Sequence, residues 1–464
     1  MATVKKGTLG TMSPSHTDIE TGPATSLRRA ISPRMLLVYV VGDILGAGIY
    51  GLVGQVAGKV GGAIWASFLV AMTLAFFTAF AYAELVTKYP GAAGAALYTH
   101  KAFKRPFPTF MVAFVVAISG ITSASTAARL FGGTYLAALS GMEIPVVLAA
   151  LGFIAVLGLI NFRGINESVK VNLALTTIEL GGLLLIVGIG VMALVRGVGD
   201  PMRVVAFPDG GSAVPAAILG GATLAFFSFL GFEDSVNLAE ETRDPSRAYP
   251  RALFGGLLFT SIVYLLVSLT AAMVVPTNVL AGSDAPLLEV VRAGQVAVSP
   301  RVFSLLALVA VSNTALINLI MASRLLYGMA KQGIVPSVLG RVHPKRRTPL
   351  VSILFVSLIA ATLILTGELA TLASTTVVLL LIVFTVVNIA VLVLRSHPVE
   401  HHHFRAPMAL PVLGAAACVG LLFQQTPEVW KRTGLLVLLG LVLWGVNYLI
   451  VGKAEEIDAA QLMD

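Results

Sequence analysis

About twelve apolar runs, each close to the length of a membrane-crossing helix, follow one another along 464 residues. They fall at 35–58, 62–87, 107–139, 144–161, 167–195, 212–239, 251–275, 301–330, 349–366, 369–394, 408–424 and 430–451. Each run is continuously apolar, without the alternation of a barrel strand, so the expected fold is an all-α membrane protein. Hydrophobic residues make up 57% of the chain and charged residues 12%, whereas soluble proteins carry roughly a quarter charged residues. A water-soluble enzyme and a disordered chain are thereby excluded. A single cysteine, Cys418, rules out an intramolecular disulfide framework and reads as an apolar filler.

An even number of spans puts both termini on one side of the bilayer, and basic residues mark that side as cytoplasmic. About 22 of the 31 Lys and Arg fall there, with clusters at Lys101, Lys104 and Arg105 and at Arg341, Lys345, Arg346 and Arg347. The net positive charge is thus a topology signal, and no nucleic-acid partner is implied. The polar first 30 residues contain no apolar core of a cleavable signal, so the first span is expected to direct membrane insertion.

Two spans are interrupted. Span one contains Gly42-Asp43-Ile44-Leu45-Gly46-Ala47-Gly48-Ile49-Tyr50-Gly51, and span six contains Gly220-Gly221 followed by Phe226-Phe227-Ser228-Phe229-Leu230-Gly231-Phe232-Glu233-Asp234. Gly46, Gly48 and Gly51 satisfy the spacing of a dinucleotide fingerprint, but neither the preceding strand nor the later acidic residue of that motif is present. Glycines four apart can also serve close helix packing, and both uses can hold at once. Interruptions five spans apart point to two five-helix repeats of inverted topology, whose broken helices build a site at mid-membrane. Unwound backbone there suits a zwitterion: the N–H groups opening a half-helix favour a carboxylate, and the carbonyls ending one favour an ammonium.

These segments, together with Tyr82-Ala83-Glu84-Leu85, Pro90-Gly91, the run Glu240 to Ala252 and Ser323-Arg324-Leu325-Leu326-Tyr327-Gly328-Met329-Ala330, resemble the amino acid-polyamine-organocation (APC) transporter superfamily along most of the chain. The resemblance implies a 5+5 inverted-repeat (LeuT-like) core with broken helices 1 and 6, two peripheral helices, and alternating access. The expected segments are a tail at 1–33, repeats at 34–198 and 199–396, peripheral helices at 397–452 and a tail at 453–464. By the same resemblance, amides around Ala47 and Gly48 hold the substrate carboxylate. Carbonyls of Ile44, Phe227 and Leu230 hold its ammonium, Phe227 or Phe232 closes over its side chain, and Gly46 belongs to the unwound turn.

Ionisable groups at membrane depth are costly and mark candidate sites. Glu179 lies mid-span where proton-coupled relatives often carry a lysine. It is a candidate to gain and lose a proton, to bind Na+ with Ser312 and Asn313, or to be a hydrogen-bonded structural group. Asp43 is either a cap on the broken helix or a charge beside the ammonium, and Glu233 and Asp234 read as caps on the second half of span six. Arg129 has no partner legible in the sequence, and His401-His402-His403 reads as a solvated loop.

The resulting expectation is a plasma-membrane amino-acid permease, a secondary active transporter coupled to protons, with Na+ as the other candidate ion. A polyamine or cationic-amine carrier and an amino-acid exchanger are the alternatives. The expected partners are an amino acid and the lipid bilayer, with no cofactor, metal or obligate protein partner. A channel would need a continuous polar pore, and a membrane-embedded enzyme would need a catalytic pair or a metal-ligand cluster.

Overall fold

A computed structural model describes residues 31–91, 93–164, 169–207, 214–296 and 298–451, with the side chains of 169–172 and 451 left out. The tails at 1–30 and 452–464, which carry part of the basic count, lie outside the described residues. Among the described residues, eight unbroken helices are long and apolar enough to cross a bilayer. The pair Pro33–Ile44 and Ala47–Val60, bent by 42°, adds a ninth. Shorter apolar helices at Val214–Phe227, Leu350–Thr366 and Ala409–Leu422 occupy the places of spans six, nine and eleven. The chain is therefore a multi-pass all-helical membrane protein.

Its surface is what lipid demands. Leu148, Leu358, Phe423 and Leu449 are all exposed, an arrangement that water would penalise and a hydrocarbon phase would not. Many serines, threonines and tyrosines are instead buried between helices with their hydroxyls on backbone carbonyls, as Thr122 is on Ile118 and Tyr249 on Ser235.

Local chemistry explains both breaks. Ser32 caps span one by accepting from the Met35 amide at 3.3 Å, with Pro33 in the first turn. The helix stops at Leu45 and Gly46, both extended, and restarts at Ala47. In span six the helix Val214–Phe227 gives way to turns at 228–233, with Gly231 at φ +121, and then to a 3-10 turn at Asp234–Leu238. That φ favours glycine. A Cβ on Gly231 would also strike the Asp43 carbonyl, so the two breaks meet backbone to backbone.

Spans one, two, six and seven pack together, and spans three, eight and ten form a facing wall. Span eleven lies against spans two and ten, and span twelve against three and ten. Two features were not expected from the apolar pattern. The connection between spans two and three contains the helix Gly94–Phe103, and span three departs from regular helix at Phe131–Tyr135, where Gly133 has non-helical dihedrals.

A cleft between two broken helices

The unwound segments open onto one cleft. Span one contributes Asp43, Ile44, Gly46, Ala47 and Gly48; span six contributes Phe227, Ser228, Leu230, Gly231, Glu233 and Asp234. The facing wall supplies Val116, Ser119 and Ser123 from span three, Thr314, Asn318 and Met321 from span eight, and Thr376 and Leu380 from span ten. Three carboxylic acids and no lysine or arginine are among these residues.

The backbone groups are partly engaged. The Ala47 amide donates to Thr314 Oγ1 at 3.1 Å, whereas the Gly48 amide lies in the first turn, where no intrahelical acceptor exists. The Ile44 carbonyl accepts from Tyr264 Oη at 2.8 Å, and a carbonyl oxygen retains a second lone pair. The Phe227 carbonyl accepts from the Leu230 amide at 3.3 Å. Gly48 also has a packing role, since a Cβ there would come within 2.7 Å of Ser228 Cα. Glu233 folds back so that its Oε2 accepts from the Gly231 amide at 2.9 Å, closing the turn. Together with Asp234, Val116 and Met321 it also lines a second cavity reaching Tyr82, Gly94 and Asn237, so the cleft continues toward the helix Gly94–Phe103.

Not every residue singled out in the sequence reaches the cleft. Phe232 is fully buried in an aromatic cluster with Tyr82 and Phe384 rather than over the cleft, because the tight turn after Leu230 directs it the other way. Ser312 donates to the Leu308 carbonyl of its own helix at 2.6 Å. Its neighbour Asn313 donates to Glu179 Oε1 at 3.2 Å. Glu179 is 0% exposed, and among the described residues its Oε2 has no hydrogen-bond partner; neither has Thr176 Oγ1, one helical turn earlier on the same face and packed against Gly42. Tyr50 Oη donates to the Glu179 carbonyl at 3.0 Å, and Tyr135 Oη to the Tyr50 carbonyl at 2.9 Å. Glu179 thus stands behind span one, tied to it by Tyr50 and to span eight by Asn313.

Two charged groups gain partners that distance in sequence concealed. Arg129 donates to the Ile364 carbonyl at 2.7 Å in the last turn of span nine, where a helix end favours a cation. Glu84, at the end of span two, meets Arg395 at the end of span ten: Nε to Oε1 is 3.0 Å and Nη2 to Oε2 is 2.6 Å. The Ala406 amide donates to the same Oε2 at 2.9 Å, and Lys88 Nζ to the Leu394 carbonyl at 2.5 Å. The same seam holds the loop that follows, where a ring nitrogen of His401 lies 3.1 Å from the Thr87 carbonyl. Burial pushes the His403 imidazole below its usual range.

Comparison with known proteins places this architecture. Residues 31–445 match the family described as amino acid permease. The branched-chain amino acid permease BcaP of Bacillus subtilis (strain 168) is 28% identical over 442 residues, covering 90% of this chain and 93% of its own length. The methylthioribose transporter of the same organism is 26% identical over 425 residues, covering 87% and 90%. Cationic amino acid transporter 9, chloroplastic, of Arabidopsis thaliana is 29% identical over 351 residues, covering 71% of this chain and 60% of its own length.

Proposed function

From the premise that this chain belongs to the amino acid permease family, whose members are membrane transporters and not enzymes, we propose that it moves amino acids across the plasma membrane by alternating access, as a proton-coupled symporter with both termini cytoplasmic. The observation that carries the reading is the meeting of two helix breaks at one cleft. An α-carboxylate fits the Gly48 amide and the opening of the half-helix Ala47–Val60; an α-ammonium fits the carbonyls of Ile44 and Leu230 and the acidic lining. Phe227, which lines the cleft, is the aromatic lid of this reading.

Coupling is assigned to Glu179. A carboxylate with one oxygen held by Asn313 and the other without a hydrogen-bond partner among the described residues can take up or release a proton with little rearrangement. Tyr50 and Asn313 connect that event to spans one and eight, both of which line the cleft. Na+ at the same place would be held by Glu179 Oε2 and Thr176 Oγ1 rather than by Ser312, whose hydroxyl already serves its own helix.

A cationic-amine substrate is the second reading, favoured by Asp43, Glu233 and Asp234 in a lining without basic residues. A thermal-shift screen against amino acids, polyamines and methylthioribose tests both, because a ligand that binds only the folded state raises the melting temperature. Stabilisation by amino acids, lost on N-acetylation or decarboxylation, is the expected result; stabilisation by methylthioribose or amines alone overturns the amino-acid reading. Asp43→Asn then separates substrate charges. A cationic substrate weakens about tenfold for each 1.4 kcal/mol removed, and a neutral one changes little.

A further inference from the structure

On the outer surface, spans three, ten and twelve enclose a groove of about 350 Å³ whose lining is wholly apolar, with Phe103, Met111, Val115, Val383, Val386 and Val437 among its walls. Along span three it runs from Pro108 to Val115, roughly 10 Å at the helical rise. Its mouth is basic. Phe103 and Pro108 flank the exposed Lys104 and Arg105, and the exposed Lys101 lies two residues before Phe103. Lys104 turns the chain there at φ +51. None of the ion pairs formed among the described residues involves these three cations. Beside the mouth, Phe107 and Phe110 of span three lie 5.6 and 5.0 Å from the Trp444 ring of span twelve.

We propose that this groove binds an anionic phospholipid, with an acyl chain between spans three and ten and its phosphate on Lys101, Lys104 and Arg105. A neutral lipid could fill the apolar part equally well, but it would bring no net charge to three clustered cations. An anionic headgroup gains attraction to each basic side chain at the membrane surface. The groove also shares its walls with the cleft. Val115 lines the groove and Val116 the cleft; Leu380 lines the cleft and Val383 the groove. A chain wedged there bears on the two spans that form the cleft wall, so the lipid is placed to set how easily they part. That consequence rests on the transport reading above, whereas the binding itself does not.

Binding is therefore tested without transport. The full-length protein in neutral detergent is melted with phosphatidylglycerol or phosphatidylcholine of identical chains. Phosphatidylglycerol should raise the melting temperature by a few degrees more, and its water-soluble headgroup, glycerophosphoglycerol, should not. The triple variant Lys101→Gln, Lys104→Gln, Arg105→Gln should melt like the native protein in phosphatidylcholine but lose the preference for phosphatidylglycerol. Val386→Trp, which fills the groove, should blunt the response to phosphatidylglycerol while the basic cluster stays intact. Equal stabilisation by the two lipids, a preference that survives the triple variant, or a full effect from the soluble headgroup overturns the proposal.

Discussion

Glu84 and Glu179 are both carboxylates buried among apolar helices, and they are held in opposite ways. Glu84 receives two bonds from Arg395 and one from the Ala406 amide, so both oxygens are engaged and a full counter-charge is present. Glu179 receives one neutral amide bond from Asn313, and among the described residues its second oxygen has no hydrogen-bond partner. In the first arrangement the carboxylate is part of a matched pair, and removing it would strand a nearly buried arginine. In the second, no counter-ion among the described residues depends on the carboxylate. Two carboxylates that are both buried thus differ in the state of their partners.

Breaking the clasp should have the largest effect. Arg395→Ala leaves Glu84 buried without its counter-ion, a loss of about 3–5 kcal/mol, which a detergent melting experiment would register together with loosening of the loop to Ala406. Matched substitutions sharpen the contrast. Glu84→Gln removes charge-assisted bonds and should destabilise by about 1.5–3 kcal/mol, while Glu179→Gln keeps its Asn313 contact and should stay within about 1 kcal/mol of the native protein. Comparable destabilisation by both would mean that the two carboxylates are structural alike. Tyr50→Phe is the mildest test: it removes one bond to the Glu179 carbonyl, about 1 kcal/mol, and leaves the carboxylate itself in place.

How much of this was legible in the sequence differs between the two carboxylates as well. The spans and both breaks were readable, because apolar length and glycine placement are local properties, and Glu179 announced itself as a charge in an apolar run. Glu84 drew notice only as part of a motif; its partner lies 311 residues away. The same limit applies to the cleft. Gly46, Ala47, Gly48, Phe227 and Leu230 lie in the two breaks and were assigned by the family resemblance, but Ser119, Thr314, Asn318 and Thr376 come from ordinary-looking helices and reach the cleft only through packing. Phe232 and Ser312 show the converse: neighbours of site residues in sequence point elsewhere, since one step along a turn or helix rotates a side chain to another face. Thr176 was within reach of the sequence, one turn before Glu179 as a second polar group on the same face.

The central claim, that Glu179 carries the coupling proton, is tested most directly by reconstituting the native protein and Glu179→Gln in liposomes and measuring uptake of the stabilising amino acid with and without an inward proton gradient, alongside downhill exchange. The native protein should accumulate substrate only when the gradient is present, and the glutamine variant should lose accumulation while keeping exchange. Accumulation by the variant against the substrate gradient would contradict the account, and so would native uptake driven by Na+ and indifferent to the proton gradient.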